Sequence, residues 1–474
     1  MKNARTKLSA RAGVLLMAFL IVFSPVSFCQ GASGAADTAT SGLDATQKNL
    51  LVAKPAVAQV TNIVTGEIII QSSAAMQLDT PQLSGRTYNF ILGATGSGFF
   101  VNPDGYLVTN GHVANPDDQL IAYYAVSQMA PTIFKDAVTI VAAASLGYTP
   151  SQDLVESAYQ QTLQTTYQGD PQKLADDLFE GYRQGELKID NVKKSNYIQL
   201  GYAFGSQKKV EQIGKPARLI DSPYKGDSNS NDLALLKIEG SNFPVVQLGD
   251  AQGIQIGKEV YAIGYPGIVQ ELMGLLTDEG SQLEPSMTKG VISAKKKLTD
   301  GTEAFQTDAA ITHGNSGGPA VDMSGKVVGV TTWGLGDSPG GEGFNFLISV
   351  DEVKRLLSRN NVNMTTQSFS TDAWAKGLEL FAQKKYSDAL KEFEKAKNLY
   401  PDNLDIQSYI TKSQEAVARG EDKSSSGWGW LILAVLAVGG LIFLGIVVLI
   451  IVLVVKKSGG GQQKKETGKS GEKK

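Results

Sequence analysis

The feature that most restricts how this chain can fold is a strand-and-turn rhythm that runs twice along it. The rhythm occupies Val57 to about Asn110 and again Tyr197 to about Val350. Short runs rich in Val, Ile, Leu and Thr, such as Ile68-Ile69-Ile70 and Asp232 to Ile238, alternate with clusters such as Asn102-Pro103-Asp104-Gly105. Runs of that length between such clusters suit short β-strands joined by tight turns. The 51 glycines supply the turns. Between the two stretches the pattern changes. From Asp117 to Lys194 the chain is rich in Ala, Gln, Leu and Asp at helical spacing, as in Ser151 to Thr166 and Pro171 to Arg183. The reading is a β domain over residues 55–360, interrupted by a helical insertion at 117–194 and closed by a short helix near Val350 to Arg359.

The length of 474 residues exceeds one typical domain, and both ends of the chain differ from the middle. Lys2, Arg5, Lys7 and Arg11 precede an apolar run from Gly13 to about Phe28, and Ser27-Phe28-Cys29 follows. This pattern predicts a signal peptide at 1–29, an uncleaved anchor being the alternative. Residues 30–54 read as a linker, being rich in Ala, Ser, Thr and Gly over most of their length. Cys29, the only cysteine, lies in the leader, so no disulfide within the chain is expected. Residues 371–419 read as helix, turn, helix, with Gly377, Ala389, Phe393, Ala396 and Pro401 at the spacings of a tetratricopeptide repeat. One such repeat cannot bury its own face and must pack on the β domain, on a following helix or on a partner.

Leu431 to Val455 carries no charge. At ~1.5 Å per residue it is long enough to cross a ~30 Å hydrocarbon layer. Trp428 and Trp430 lie at one end, and Lys456 and Lys457 begin a basic tail, 456–474, at the other. The expectation is a single membrane helix with a cytoplasmic tail and the bulk of the chain outside the cytoplasm. The net charge of −3 offers no reason to expect a nucleic-acid partner.

One local segment suggests chemistry. In Gly314-Asn315-Ser316-Gly317-Gly318-Pro319 the glycines let the main chain turn tightly and approach a substrate carbonyl, leaving Ser316 exposed. A serine hydroxyl is a weak nucleophile without a neighbouring base. The chain has two histidines. His313 sits three residues before Ser316 in the same tight loop, which is poor geometry for taking its proton. His112, in Val108-Thr109-Asn110-Gly111-His112-Val113, ends an apolar strand and is the better candidate. A carboxylate is needed to hold the imidazole in one tautomer and to stabilise its positive charge. Asp232, leading Leu233-Ala234-Leu235-Leu236-Lys237-Ile238, is placed to be partly buried. The order His, Asp, Ser is that of chymotrypsin, not of subtilisin or the α/β-hydrolases.

With these segments in view, the chain resembles the HtrA/Deg branch of trypsin-like serine proteases. The resemblance is carried by Gly96-Ser97-Gly98-Phe99, the segment around His112, Asn231 to Lys237, Gly264-Tyr265-Pro266-Gly267 and Gly290-Val291-Ile292-Ser293. It continues through Gln306 to Ile311 into the serine loop, then Gly325 to Val330 and Gly343-Phe344-Asn345-Phe346. It covers residues 55–118 and 195–358. It implies an all-β, chymotrypsin-like double barrel with the active site between the barrels, here with a helical insertion, a small α-helical repeat and one transmembrane helix. It implies an oxyanion hole made by the N–H groups of Gly314 and Ser316. Thr332, Trp333 and Gly334 resemble the strand that pairs with substrate backbone, and the Thr332 hydroxyl resembles one that steadies the triad carboxylate.

Three departures stand out. His313 occupies a position where a proline is common, which bears on the resting state of the oxyanion loop. The insertion is not part of the usual pattern. The repeat and the apolar helix stand where a PDZ domain often follows.

The resemblance implies a membrane-tethered extracytoplasmic serine endopeptidase that acts on polypeptides through His112, Asp232 and Ser316, without metal or cofactor. Two other readings are a membrane-bound binding or scaffold protein with a vestigial protease domain, and an esterase. Protein partners are expected at the repeat. Ala310 stands where enzymes that prefer Lys or Arg carry an acid. The residue before the cut is therefore expected to be aliphatic and small or medium, such as Val, Ala or Ile, unless Asp308 or Glu342 reaches the pocket.

Overall fold

The structure, a computed structural model, describes residues 43–72, 81–201, 207–226, 230–265, 284–334, 345–364 and 367–424. The expected signal peptide, membrane helix and basic tail lie outside these residues, as does Glu342. Among the described residues no helix is long and apolar enough to cross a membrane.

The two strand-rich stretches form two closed six-stranded barrels. The first contains β1 (Val57–Ile70), β2 (Thr87–Asn102), β3 (Tyr106–Thr109), β4 (Leu187–Gln199), β5 (Lys215–Asp221) and β6 (Ala234–Lys237), in the order β1-β2-β3-β6-β5-β4. The second contains β7 (Glu259–Gly264), β8 (Ser286–Lys297), β9 (Glu303–Thr307), β10 (Pro319–Val321), β11 (Val327–Gly334) and β12 (Asn345–Ser349), in the order β10-β11-β12-β9-β8-β7. Every pairing between these strands is antiparallel. The strand period of two explains how the barrels join. In β6, Ala234 and Leu236 pack inside the first barrel with Val60, Phe100 and Ile198. Leu233 and Leu235 point the other way, into a cluster shared with Val260, Ile263, Val330 and Leu347 of the second.

The helices begin with α1 (Ala45–Ala53), where the sequence suggested linker. Asp44 caps it: its side chain accepts the Gln47 N–H, and the Gln47 side chain accepts the Asp44 N–H in return. The helix persists because it has two surfaces to bury. Leu50 and Ala53 enter the second-barrel cluster, and Leu51 and Val52 pack against the C-terminal helices. After it, Lys54 is held between Glu284 at 2.8 Å and Asp405 at 3.0 Å.

A short helix α2 (Gly111–Ala114) follows β3 directly. The insertion comes next: α3 (Asp118–Leu146), α4 (Gln152–Thr165) and α5 (Pro171–Arg183), capped by Asp117, Ser151 and Asp170. Its helical part ends at Arg183, not at residue 194 as the sequence suggested. From Leu187 the chain is strand, because the far half of β1, Glu67 to Ile70, would otherwise lack a partner on that side. The insertion packs on the ends of β1 and β2 through Ile121, Val126 and Phe179 against Val64, Ile68 and Phe90.

A helix α6 (Gln207–Ile213) precedes β5, and α7 (Val350–Arg359) follows β12. The C-terminal region is three helices, α8 (Phe369–Ala382), α9 (Tyr386–Leu399) and α10 (Asp405–Ala418). Trp374, Phe393 and Tyr409 interlock in its core, with ring centroids 5.4 Å apart from Trp374 to each of the others. At Gly377 a Cβ would come within 2.4 Å of the Phe393 ring, so only glycine permits this approach of α8 to α9. These helices are bound to the first-barrel side and to α1: Ser368 and Ser370 donate to the carbonyls of Phe243 and Asn242, and Trp374 Nε1 donates to Leu51 O at 2.8 Å.

Candidate active site

The register of β3 on β6 sets Thr109 opposite Ala234, which brings the residues just after β3 beside those just before β6. His112 and Asp232 meet there. The His112 ring nitrogen Nδ1 lies 2.7 Å from Asp232 Oδ2, and the His112 main-chain N–H donates to Oδ1 at 2.9 Å. Thr332 reaches across from β11 and donates its hydroxyl to Oδ2 at 2.6 Å. Asn110 donates its side-chain amide to the Asp232 carbonyl at 2.7 Å. Asp232 is 1% exposed.

Burial alone would push the Asp232 carboxyl up. The positive field of His112 and the hydrogen bonds from His112 and Thr332 outweigh it, so the carboxyl stays below the usual range and ionised. Burial likewise pulls the His112 imidazole down, but the charge and hydrogen bond of Asp232 leave it above its ordinary 6.5. The carboxylate holds Nδ1 and leaves Nε2 as the group able to take a proton. The His112 side chain keeps 34% exposure toward the groove that contains Ser316.

Ser316 is presented by a loop whose shape is fixed by main-chain bonds. The Asn315 N–H donates to Thr312 O at 3.0 Å, and Gly314 has φ of +93°, as the third position of a type II turn requires. At that position a side chain would be strained, whereas glycine is free to adopt it. Ser97 Oγ donates to the Gly314 carbonyl at 2.7 Å and accepts the Tyr265 N–H at 2.9 Å. The Gly317 N–H donates to Thr331 O, and the Ser97 N–H to Ser316 O, both at 2.8 Å. Gly317, with φ of +88°, has no room for a side chain, since a Cβ would lie 2.2 Å from Ser97 O. Among the described residues, no carbonyl takes the N–H of Gly314 or of Ser316. Ser316 Oγ donates to Thr332 O at 3.4 Å.

The other site residues fall around this loop. Ala310 is exposed beside it, with its carbonyl accepting the Thr288 hydroxyl at 2.7 Å. Asp308 is exposed and accepts the Val291 N–H on Oδ1 at 2.7 Å. Thr332, Trp333 and Gly334 are the last residues of β11. His313 is exposed in the serine loop and lines the same groove as His112 and Ser316.

Nothing local marks Ser97 in Gly96-Ser97-Gly98, because a lone serine between glycines reads as an ordinary turn residue. Thr331 carries no local signal either. Its hydroxyl bridges the carbonyls of Asn315 and Gly318, which only the packed loop reveals.

Comparison with known proteins agrees with part of this picture. A family described as trypsin-like peptidase domain matches residues 190–330, a span that contains Asp232 and Ser316 but not His112. A probable periplasmic serine endoprotease, DegP-like, of Pseudomonas putida (strain GB-1) is 40% identical over 135 residues, covering 28% of this chain and 25% of that protein. A protein of the same description from Chlamydia muridarum is 32% identical over 182 residues, covering 36% of this chain and 34% of that one. The putative serine protease HhoA of Synechocystis is 35% identical over 155 residues. The chain thus spans about a quarter to a third of the length of these curated relatives. Among solved structures, the HtrA-type protease AlgW with decapeptide aligns over 67% of each chain at 22% identity, with a TM-score of 0.35. The part of this chain that carries Asp232 and Ser316 is accordingly similar to trypsin-like peptidase domains, and its curated relatives are described as serine proteases.

Proposed function

We propose that this chain is a serine endopeptidase in which Ser316 is the nucleophile, His112 the general base and acid, and Asp232 the residue that orients and charges the imidazole. The observation that carries the reading is the arrangement at Asp232. One buried carboxylate accepts two hydrogen bonds from His112 and one from Thr332, beside a groove shared with Ser316. An ordinary turn aspartate has no need of such a set of donors.

In the reaction, the Ser316 hydroxyl turns from the Thr332 carbonyl to His112 Nε2, gives up its proton and attacks the scissile carbonyl. The negative oxygen that forms is held by the N–H groups of Gly314 and Ser316, which are available for that role. His112 then passes the proton to the departing amine, and a water molecule hydrolyses the acyl-enzyme by the same route in reverse. Serine and histidine supply both nucleophile and base, so the reading calls for no cofactor.

Ala310, Thr332, Trp333 and Gly334 are the proposed walls for the residue before the cut. The preference proposed there is for a small or medium aliphatic side chain, because Ala310 offers no charge to a buried Lys or Arg. The charged leader, the uncharged run at 431–455 and the lysines after it support a membrane-tethered, extracytoplasmic placement, with α8 to α10 as a tetratricopeptide-like unit able to take a protein partner.

The test is chemical. A fluorophosphonate should label the full-length protein at one residue, and mass mapping should place the label on Ser316. A folded protein that does not label, or that labels elsewhere, is incompatible with the assignment.

A further inference from the structure

The groove that holds Ser316 is much larger than the catalytic residues need, at about 890 Å³. One wall is β2. The facing wall is α3, the first helix of the insertion, through Leu120, Ile121, Tyr124 and Gln128. Those positions recur at helical spacing, so they share one face. Ile91 on β2 and Tyr124 on α3 are each 54% exposed, unusual for side chains of that size, and both line the groove. Among the described residues, no Asp, Glu, Lys or Arg lines it.

The floor of the groove suits an extended chain. β3 pairs with β2 only from Gly98 onward, so among the described residues the earlier part of β2 has an edge with no neighbouring strand. On that edge the Ile91 carbonyl accepts the Gln128 side chain at 3.0 Å, and the Ser97 N–H reaches Ser316 O at 2.8 Å. The period of two turns the main-chain groups of Gly93 and Thr95 to the same edge, between those two points. Two buried hydroxyls in the groove walls, Thr61 Oγ1 and Ser127 Oγ, have no hydrogen-bond partner among the described residues. Ala310 and Thr332, assigned above to the residue before the cut, are not among the walls. The groove therefore leaves Ser316 on the other side.

We propose that α3 is a selectivity wall: the groove between β2 and α3 receives the side chains that follow the cleaved bond in an extended polypeptide, and favours apolar ones. This rests on the endopeptidase reading above. An apolar side chain entering between Ile91 and Tyr124 leaves water without losing any polar contact. A carboxylate or ammonium entering between those two side chains would be desolvated without an Asp, Glu, Lys or Arg partner among the described lining residues. The insertion thereby supplies substrate recognition, a role distinct from merely covering the ends of β1 and β2.

The experiment uses the full-length protein in detergent and a series of quenched-fluorescence peptides built on the bond it cuts fastest in unfolded casein. The first three residues after the cut are varied in turn among Leu, Phe, Asp and Lys. Rates are expressed per Ser316 that labels with fluorophosphonate, so that loss of folded enzyme does not enter the comparison. The expected result is at least a tenfold preference in kcat/KM for Leu or Phe over Asp and Lys at one or more of these positions. Tyr124→Asp should turn that preference toward Lys, and Tyr124→Lys should turn it toward Asp. A general weakening of the fold produces neither of those opposite changes. A wild-type enzyme that labels and cleaves but shows no preference after the cut, or a preference that neither substitution moves, overturns the selectivity wall alone. A protein that neither labels nor cleaves overturns the endopeptidase reading and the wall with it.

Discussion

The two barrels contribute to the candidate active site in different ways. The first supplies His112 and Asp232 from the ends of paired strands and locks them with hydrogen bonds at 2.7 and 2.9 Å. The second supplies Ser316 from a loop that owes its shape to glycines and to main-chain bonds, with φ of +93° at Gly314 and +88° at Gly317. The proposed base and its carboxylate are thus positioned by what their side chains touch. The proposed nucleophile is presented by what its neighbours lack. Thr332 is the link between the halves, since its hydroxyl serves Asp232 while its carbonyl accepts from Ser316.

The sharpest way to separate the halves is to remove the nucleophile. Ser316→Ala should lower peptide turnover by up to ~10⁶-fold. Circular dichroism and thermal unfolding should stay close to wild type, because no main-chain bond of the loop depends on the hydroxyl. Activity within tenfold of wild type would falsify the assignment.

The next largest effect should come from the other half. Asp232→Asn keeps the shape but presents the imidazole in the wrong tautomer, and kcat should fall by about 10⁴-fold near neutral pH. Fluorophosphonate labelling should slow with it. A loss below tenfold would mean that Asp232 is a structural residue and that another group orients His112.

The pH profile tests the same half without mutation. The Asp232 charge favours protonated His112, so its pKa in the folded protein lies above 6.5. The base works only when neutral. kcat/KM should therefore hold above that pKa and fall about tenfold per unit well below it. The linked contribution to stability runs the opposite way: it is complete below about pH 6.5 and fades as pH rises through the raised value. A rate that is flat from pH 5 to 8 would remove His112 from the mechanism.

The smallest effect is expected at the link. Thr332→Val removes one donor to the buried carboxylate and leaves the main chain in place. A loss of about tenfold in kcat, roughly 1.4 kcal/mol, should follow, with KM changed much less. A loss as large as that of Asp232→Asn would show that Thr332 positions more than the carboxylate.

Part of this organisation was readable along the chain. Ser316 was marked by its glycines, His112 by being the better placed of two histidines, and Asp232 by the apolar strand it precedes. The strands after Tyr197 and the helix at Val350–Arg359 lay within patterns that local spacing reveals. The misread segments depend on distant partners. Residues 45–53 looked like the end of a linker, but they form a helix because Leu50 and Leu51 bury against two different parts of the molecule. By composition, residues 187–194 suit the end of the helical insertion. They form a strand because β1 needs a neighbour there, and the register shifts between Thr65 and Glu67 to accommodate it.

By itself the sequence determined which side chains were chemically able to act and where the glycines allowed a tight turn, because both follow from residue type and local spacing. Only the tertiary structure decided that Thr332 would reach Asp232, that Ser97 would hold the Gly314 carbonyl, and that α3 would face β2 across the groove. Each of these joins segments far apart in the chain, and strand register and packing, which local composition does not encode, set which of them meet.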